Sequence, residues 1–208
     1  RDCLLSRGLG DVYKRQTMTT ATDSFLVDDV IISGKAQNDV YKVTDAQYEK
    51  MLENSVYSTG NNARIKKVIQ NARDGKDVTL AYIGGSITEG ALAKPNSMCY
   101  AEVSAKTFGA KYGKNNGENV HFINAGMSGT PSDIGVVRYN RDVIDRLPEG
   151  SDHPDVLFIE FAVNDYGTAT AGKGYEGLIR QALKSGSAVV LVFSVFQNCL
   201  LYTSPSPR

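Results

Sequence analysis

From Asp77 onward, apolar and polar positions alternate between short continuous runs and longer periodic stretches. Val78–Ile83 is an apolar run that stops at Gly-Gly-Ser. A stretch with Tyr100, Val103 and Phe108 at helical spacing follows. Val120–Ala125 (VHFINA) predicts a second strand, ending in another Gly/Ser-rich turn, and Ile134–Leu147 a helix. Asp155–Val163 (DVLFIEFAV) predicts a third strand that runs into Asn-Asp. Tyr175, Leu178, Ile179, Ala182 and Leu183 return to helical spacing, and Ala188–Phe196 (AVVLVFSVF) predicts a fourth strand. Strands alternating with helices imply βαβ units, right-handed crossovers and a parallel sheet. Near-continuous apolar strands fit burial on both faces. The predicted fold is α/β, a three-layer α/β/α sandwich with a mostly parallel sheet. Ligands of such sheets bind at the carboxyl ends of the strands.

Upstream, Phe25–Ile32 (FLVDDVII) reads as a strand. Thr44-Asp-Ala-Gln47 has the form of a capping box and opens a short helix through Glu53. Ser58 to Asn62 is a turn cluster, and Ile65, Val68, Ile69 and Ala72 mark one face of a helix closed by Gly75. Residues 1–16 and 199–208 show no periodicity continuous with their neighbours and resemble translated sequencing-adapter segments. They are expected to be non-native tails, ordinary disordered tails being the alternative. Residues 17–60 are then an N-terminal extension or the remnant of an accessory domain, and 61–198 the main domain.

Composition narrows the function. Hydrophobic residues make up 41% and charged residues 22% of 208, which suits one globular domain. Lys+Arg and Asp+Glu are both 23, so there is no net basic charge of the kind nucleic-acid binders carry. No apolar run approaches the roughly 18 residues of a membrane span. Three cysteines form no CxxC pair. Cys3 and Cys199 fall in the suspect tails, leaving Cys99 as a small buried hydrophobe. No metal or organic cofactor is implied. No secretory signal is visible, and the compartment stays open between extracellular and cytoplasmic.

Three strand ends carry candidate chemistry. Gly84-Gly85-Ser86-Ile87-Thr88-Glu89-Gly90 allows a tight turn and puts Ser86 at a helix start, where a backbone N–H can face a developing oxyanion. It also reads as a plain turn with Ser86 as a cap. It matches neither the P-loop nor the GxSxG elbow. Asn124-Ala-Gly-Met-Ser-Gly-Thr130 offers a backbone N–H at Gly129, or a simple strand-to-helix turn. Ala162-Val163-Asn164-Asp165 offers a neutral amide donor at Asn164, or an Asx turn, and Asp165 would cap the next element or orient a loop.

In this order the three blocks resemble the SGNH (GDSL-like) hydrolases over about residues 76–198. The first resembles GDS(L) with Gly85 in place of Asp, the second the oxyanion-glycine block, and the third GxND with Ala162 in place of Gly. The resemblance implies a flavodoxin-like sheet, Ser86 as nucleophile, and an oxyanion hole of Ser86 N–H, Gly129 N–H and the Asn164 side chain. It also implies a bacterial-type serine esterase acting on a small acyl ester, acetyl esters included, or on an acylated carbohydrate. An acyltransferase and a non-catalytic carbohydrate-binding module are the alternatives.

The family's Asp-x-x-His block does not occur in this sequence. His121 and His153 are the only histidines; His121 begins the second strand and His153 precedes the third, so both belong at the amino ends of the sheet. They are expected on the order of 20 Å from Ser86, too far for a base that must come within hydrogen-bond reach. The final strand and helix are expected to be missing, the chain as written to be nearly inactive, and the Ala188–Phe196 edge to be uncovered and prone to aggregation.

Overall fold

The computed structural model describes residues 24–26, 31–33, 44–56, 61–91, 93–166 and 172–194. The expectations for residues 1–16 and 199–208, and most of the 58–62 turn, lie outside them. In chain order the strands are β1 (Ser24–Leu26), β2 (Ile31–Ser33), β3 (Val78–Gly84), β4 (Val120–Gly126), β5 (Val156–Glu160) and β6 (Ala188–Leu191). The helices are α1 (Asp45–Ser55), α2 (Ala63–Arg73), the single turn α3 (Ser86–Glu89), α4 (Tyr100–Tyr112), α5 (Ser132–Asp142), the single turn α6 (Ala162–Asp165) and α7 (Lys173–Ser185).

The main sheet is parallel, with order β4-β3-β5-β6. Chain order therefore reverses at β3, so the connections leaving β3 and β5 open a crevice at the strand ends. Register makes that rim level: Gly84 pairs with Gly126 on one side and Glu160 on the other. Period-2 alternation sends Ala81, Ile83, Ile123, Leu157 and Ile159 into one core with Tyr139 of α5 and Leu178 of α7. Val78, Leu80, Tyr82 and Val156 go to the other face, against Val68 of α2 and Ala101 and Ala105 of α4. The result is the expected three-layer sandwich. At its centre the buried Tyr82 ring stacks on Phe158 at 4.2 Å and meets Phe122 and Tyr100 edge-on. Such aromatic pairs add about 0.5–1.5 kcal/mol each beyond area burial.

Several boundaries differ from expectation. Phe25–Ile32 is not one strand: β1 and β2 pair antiparallel, with Leu26 opposite Ile31. The Thr44 capping box forms as expected, Gln47 N–H donating to Thr44 Oγ1 while Gln47 Oε1 accepts from Thr44 N–H. The helix expected to reach Leu147 stops at Asp142, and a 3-10 turn follows at Ile144–Arg146. The break lets consecutive Val143 and Ile144 both pack on the core, which a helix would turn about 100° apart. The third strand ends at Glu160, because Phe161 N–H donates 2.6 Å to Tyr175 Oη instead of joining the ladder. Cys99 is buried at 6% exposure, as expected of a small hydrophobe.

Candidate active site

The turn from β3 to α3 is built on close backbone approach. A Cβ at Gly84 would lie 2.0 Å from Thr88 Oγ1 and 2.5 Å from Glu160 O. A Cβ at Gly85 would lie 2.3 Å from Asn164 Oδ1 and 3.8 Å from Thr130 O. Gly85 N–H donates to Glu160 O at 3.1 Å. Gly85, not Ser86, is the N-cap of α3, and Ser86 is the first helical residue, half-buried at the rim.

The β4 connection is tied to the same turn. A Cβ at Gly126 would lie 2.1 Å from Glu89 N, and Met127 N–H donates to Gly84 O at 3.0 Å. Glu89 Oε2 accepts from Ser128 N–H at 2.9 Å and from the Ser128 hydroxyl. Asn124 Nδ2 donates to Thr88 O at 2.9 Å. Gly129 adopts φ +73°, the left-handed region that suits glycine, and nothing lies within 4 Å of where its Cβ would be. Gly129 is exposed at an open mouth, and the carbonyl of the next residue, Thr130, faces Gly85.

The β5 connection completes the rim. Asn164 is half-buried on α6, and among the described residues its amide makes no hydrogen bond. Asp165, 6% exposed, accepts from Ser132 N–H at 2.7 Å and Ser132 Oγ at 2.5 Å. It therefore ties down the start of α5 and fixes the far end of the Gly129 loop beside Asn164, the loop-orienting role of the two expected for it. Beneath the rim, the Glu160 carboxylate is 1% exposed and accepts from Ser194 Oγ at 3.2 Å and Thr88 Oγ1 at 3.4 Å. Thr88 Oγ1 is also 2.9 Å from Tyr100 Oη. Burial pushes the Glu160 carboxyl above its ordinary range, against the opposing effect of those hydrogen bonds. Sequence reading gave Glu89, Ser132 and Glu160 no role. For Glu160 a signal existed, since a lone carboxylate inside an apolar strand must find partners when buried.

The two histidines sit at the other rim. His121 pairs in register with Thr79, five residues before Gly84 and so about 16 Å away along the strand. Its Nε2 lies 3.2 Å from Asp77 Oδ1. His153 contacts Asp152 and packs 3.2 Å from where a Cβ on Gly186 would be. Among the described residues there is no metal-suited group of three His, Cys, Asp or Glu side chains. Nor is any described helix long and apolar enough to cross a membrane.

No protein-family model and no curated protein sequence matches this chain. Among solved structures it is similar to a two-domain esterase (CEX) active on acetylated mannans, with 36% identity over 70% of this chain and 38% of that one, at a TM-score of 0.59. A structure of a two-domain esterase of the same description, co-crystallised with mannopentaose, gives 34% identity over 72% of this chain and 41% of that one, again at 0.59. AlinE4, an SGNH-hydrolase family esterase, is 24% identical over 56% of this chain and 59% of its own, at a TM-score of 0.44. The chain thus spans about two fifths of the length of the two-domain esterases it matches.

Proposed function

We propose that this chain belongs to the SGNH hydrolases that its three strand-end blocks resemble, and that it carries the nucleophile and oxyanion half of a serine esterase site acting on acetylated carbohydrate. Ser86 Oγ attacks the ester carbonyl carbon and loses its proton to a base. Charge gathers on the carbonyl oxygen, where the Ser86 and Gly129 N–H groups and the Asn164 amide hold it. The intermediate collapses, the sugar hydroxyl leaves with a proton, and water releases acetate from acyl-Ser86. One observation carries this reading: the Cβ position of Gly85 lies 2.3 Å from the Asn164 amide and 3.8 Å from Thr130 O, so all three blocks meet at one turn. The acetylated-sugar substrate rests on the similarity to the esterase active on acetylated mannans.

Neither histidine of this chain stands at that rim, so the family's Asp-x-x-His base has no counterpart among the described residues. We expect this chain to hydrolyse 4-nitrophenyl acetate slowly, and added imidazole to raise the Ser86-dependent part of the rate by supplying the missing base. Rates for the native chain and for Ser86→Ala that stay equal across the imidazole series would overturn the proposal. The placement of both histidines also favours one second reading, a binding module that keeps the fold without catalysis. That reading predicts mannooligosaccharide binding with no acyl-enzyme at any imidazole concentration.

A further inference from the structure

Arg138, in the second turn of α5, is 5% exposed although it carries a full charge. Its Nη2 donates to Gly84 O at 2.9 Å, and its Nη1 donates to Ala125 O at 2.6 Å. Its guanidinium carbon lies 5.9 Å from the centre of the Phe161 ring. Gly84 is the last residue of β3, Ala125 the last but one of β4, and Phe161 the first after β5. One side chain therefore reaches the end of each strand that carries a candidate block. Gly84 O also accepts from Met127 N–H, so the same carbonyl joins the β4 loop to the β3 turn.

Asp142 Oδ2 accepts from Arg138 Nη1 at 2.9 Å and balances its charge. Hydrogen bonding, first from Arg141 and then from Arg138, holds the Asp142 carboxyl down at about 2. A buried pair of this kind gives little net stability over apolar packing. A planar fork, however, fixes two acceptors on different strands at a set separation, which a lysine does not do.

We propose that Arg138 is a positioning residue, locking the Ser86 turn, the Gly129 loop and the Asn164 turn in one mutual arrangement. The chemical consequence rests on the esterase reading above; the structural one does not. Misplacement of reacting groups by about 1 Å is enough to cost on the order of a hundredfold in rate.

The test is Arg138→Lys in the full chain, read by residue-resolved amide hydrogen exchange. Losing one charged hydrogen bond predicts exchange on the order of ten- to a hundredfold faster at Gly85, Met127, Ser128 and Asp165, with α4 and the amino half of β3 unchanged. The Ser86-dependent rate in saturating imidazole should fall about tenfold or more at unchanged KM, counted per serine titrated with a fluorophosphonate. Uniform acceleration across the domain, or loosening at only one connection, would overturn the proposal. So would an unchanged rate per titrated serine in a protein whose rim has loosened. Should Arg138→Lys fail to fold, the double variant Arg138→Gln/Asp142→Asn removes the pair together and is read in the same way. A native chain with no Ser86-dependent hydrolysis sinks the esterase reading, and the exchange result then decides the positioning claim alone.

Discussion

The two rims of one sheet both bring polar side chains together, to opposite effect. At the amino rim, His121 meets Asp77 and His153 meets Asp152, yet all four lie at solvent-facing loops and strand starts. Exposed pairs of this kind add about 0–1 kcal/mol and create no cleft. At the carboxyl rim there is no histidine, but glycines bring three backbones to van der Waals limits and polar groups are buried with partners. Titratable side chains close together do not by themselves make a site. Backbone approach, level strand ends and buried tethers do.

The largest effect that sharpens this contrast is at Ser86. Ser86→Ala should abolish labelling by a fluorophosphonate in the presence of imidazole, whereas His121→Ala and His153→Ala should leave it unchanged, as read by peptide mass spectrometry. Labelling that survives in Ser86→Ala, or that disappears with either histidine, breaks the division between the rims. Next comes Asn164→Ala, expected to lower the Ser86-dependent rate by about 10²–10³ with the melting temperature little changed. A loss below threefold would remove Asn164 from the oxyanion hole.

Glycines give a stability test of the same contrast. Gly126→Ala places a Cβ 2.1 Å from the Glu89 backbone nitrogen and should destabilise by about 2–4 kcal/mol in urea unfolding. Gly150→Ala, in the loop that leads to the amino end of β5, meets no atom within 4 Å and faces only the strain of φ +84°, so about 1 kcal/mol is expected. Equal losses would mean that the carboxyl rim is not closely packed.

The smallest predicted effect is a pH dependence. Glu160 is a carboxyl whose folded value is raised above 4.5, so the folded state binds its proton more tightly than the unfolded chain does. That group's contribution is therefore most favourable below about 4.5 and declines as pH rises through the raised folded value. Glu160→Gln should remove this decline from urea midpoints measured across pH 3.5–8. Asp142, held at about 2, acts the other way: its contribution is present above its ordinary 3.8 and is lost as pH falls toward 2.

Much of this fold was legible because its strands are buried on both faces, so Val78–Ile83 and Val120–Ala125 stand out as apolar runs whatever packs on them. Their ends were harder to read. Phe161 to Val163 continue the apolar run of the third strand, and only the tertiary bond from Phe161 to Tyr175 Oη shows that the ladder has stopped. Candidate residues were legible where a glycine or an amide follows a strand. Arg138 was not, since one arginine in an amphipathic helix looks like any surface charge until its acceptors, on strands 54 and 13 residues back, are known. Asp165 was expected to cap or to orient a loop, but the loop end it holds at Ser132 lies 33 residues upstream, where no local pattern points.

The convergence of the three strand-end blocks is tested most directly by a crystal structure of the protein phosphonylated at Ser86. We predict the phosphonyl oxygen within about 3 Å of both the Asn164 side-chain nitrogen and the Gly129 backbone nitrogen. A phosphonyl oxygen turned to solvent, with neither nitrogen in reach, would contradict the account.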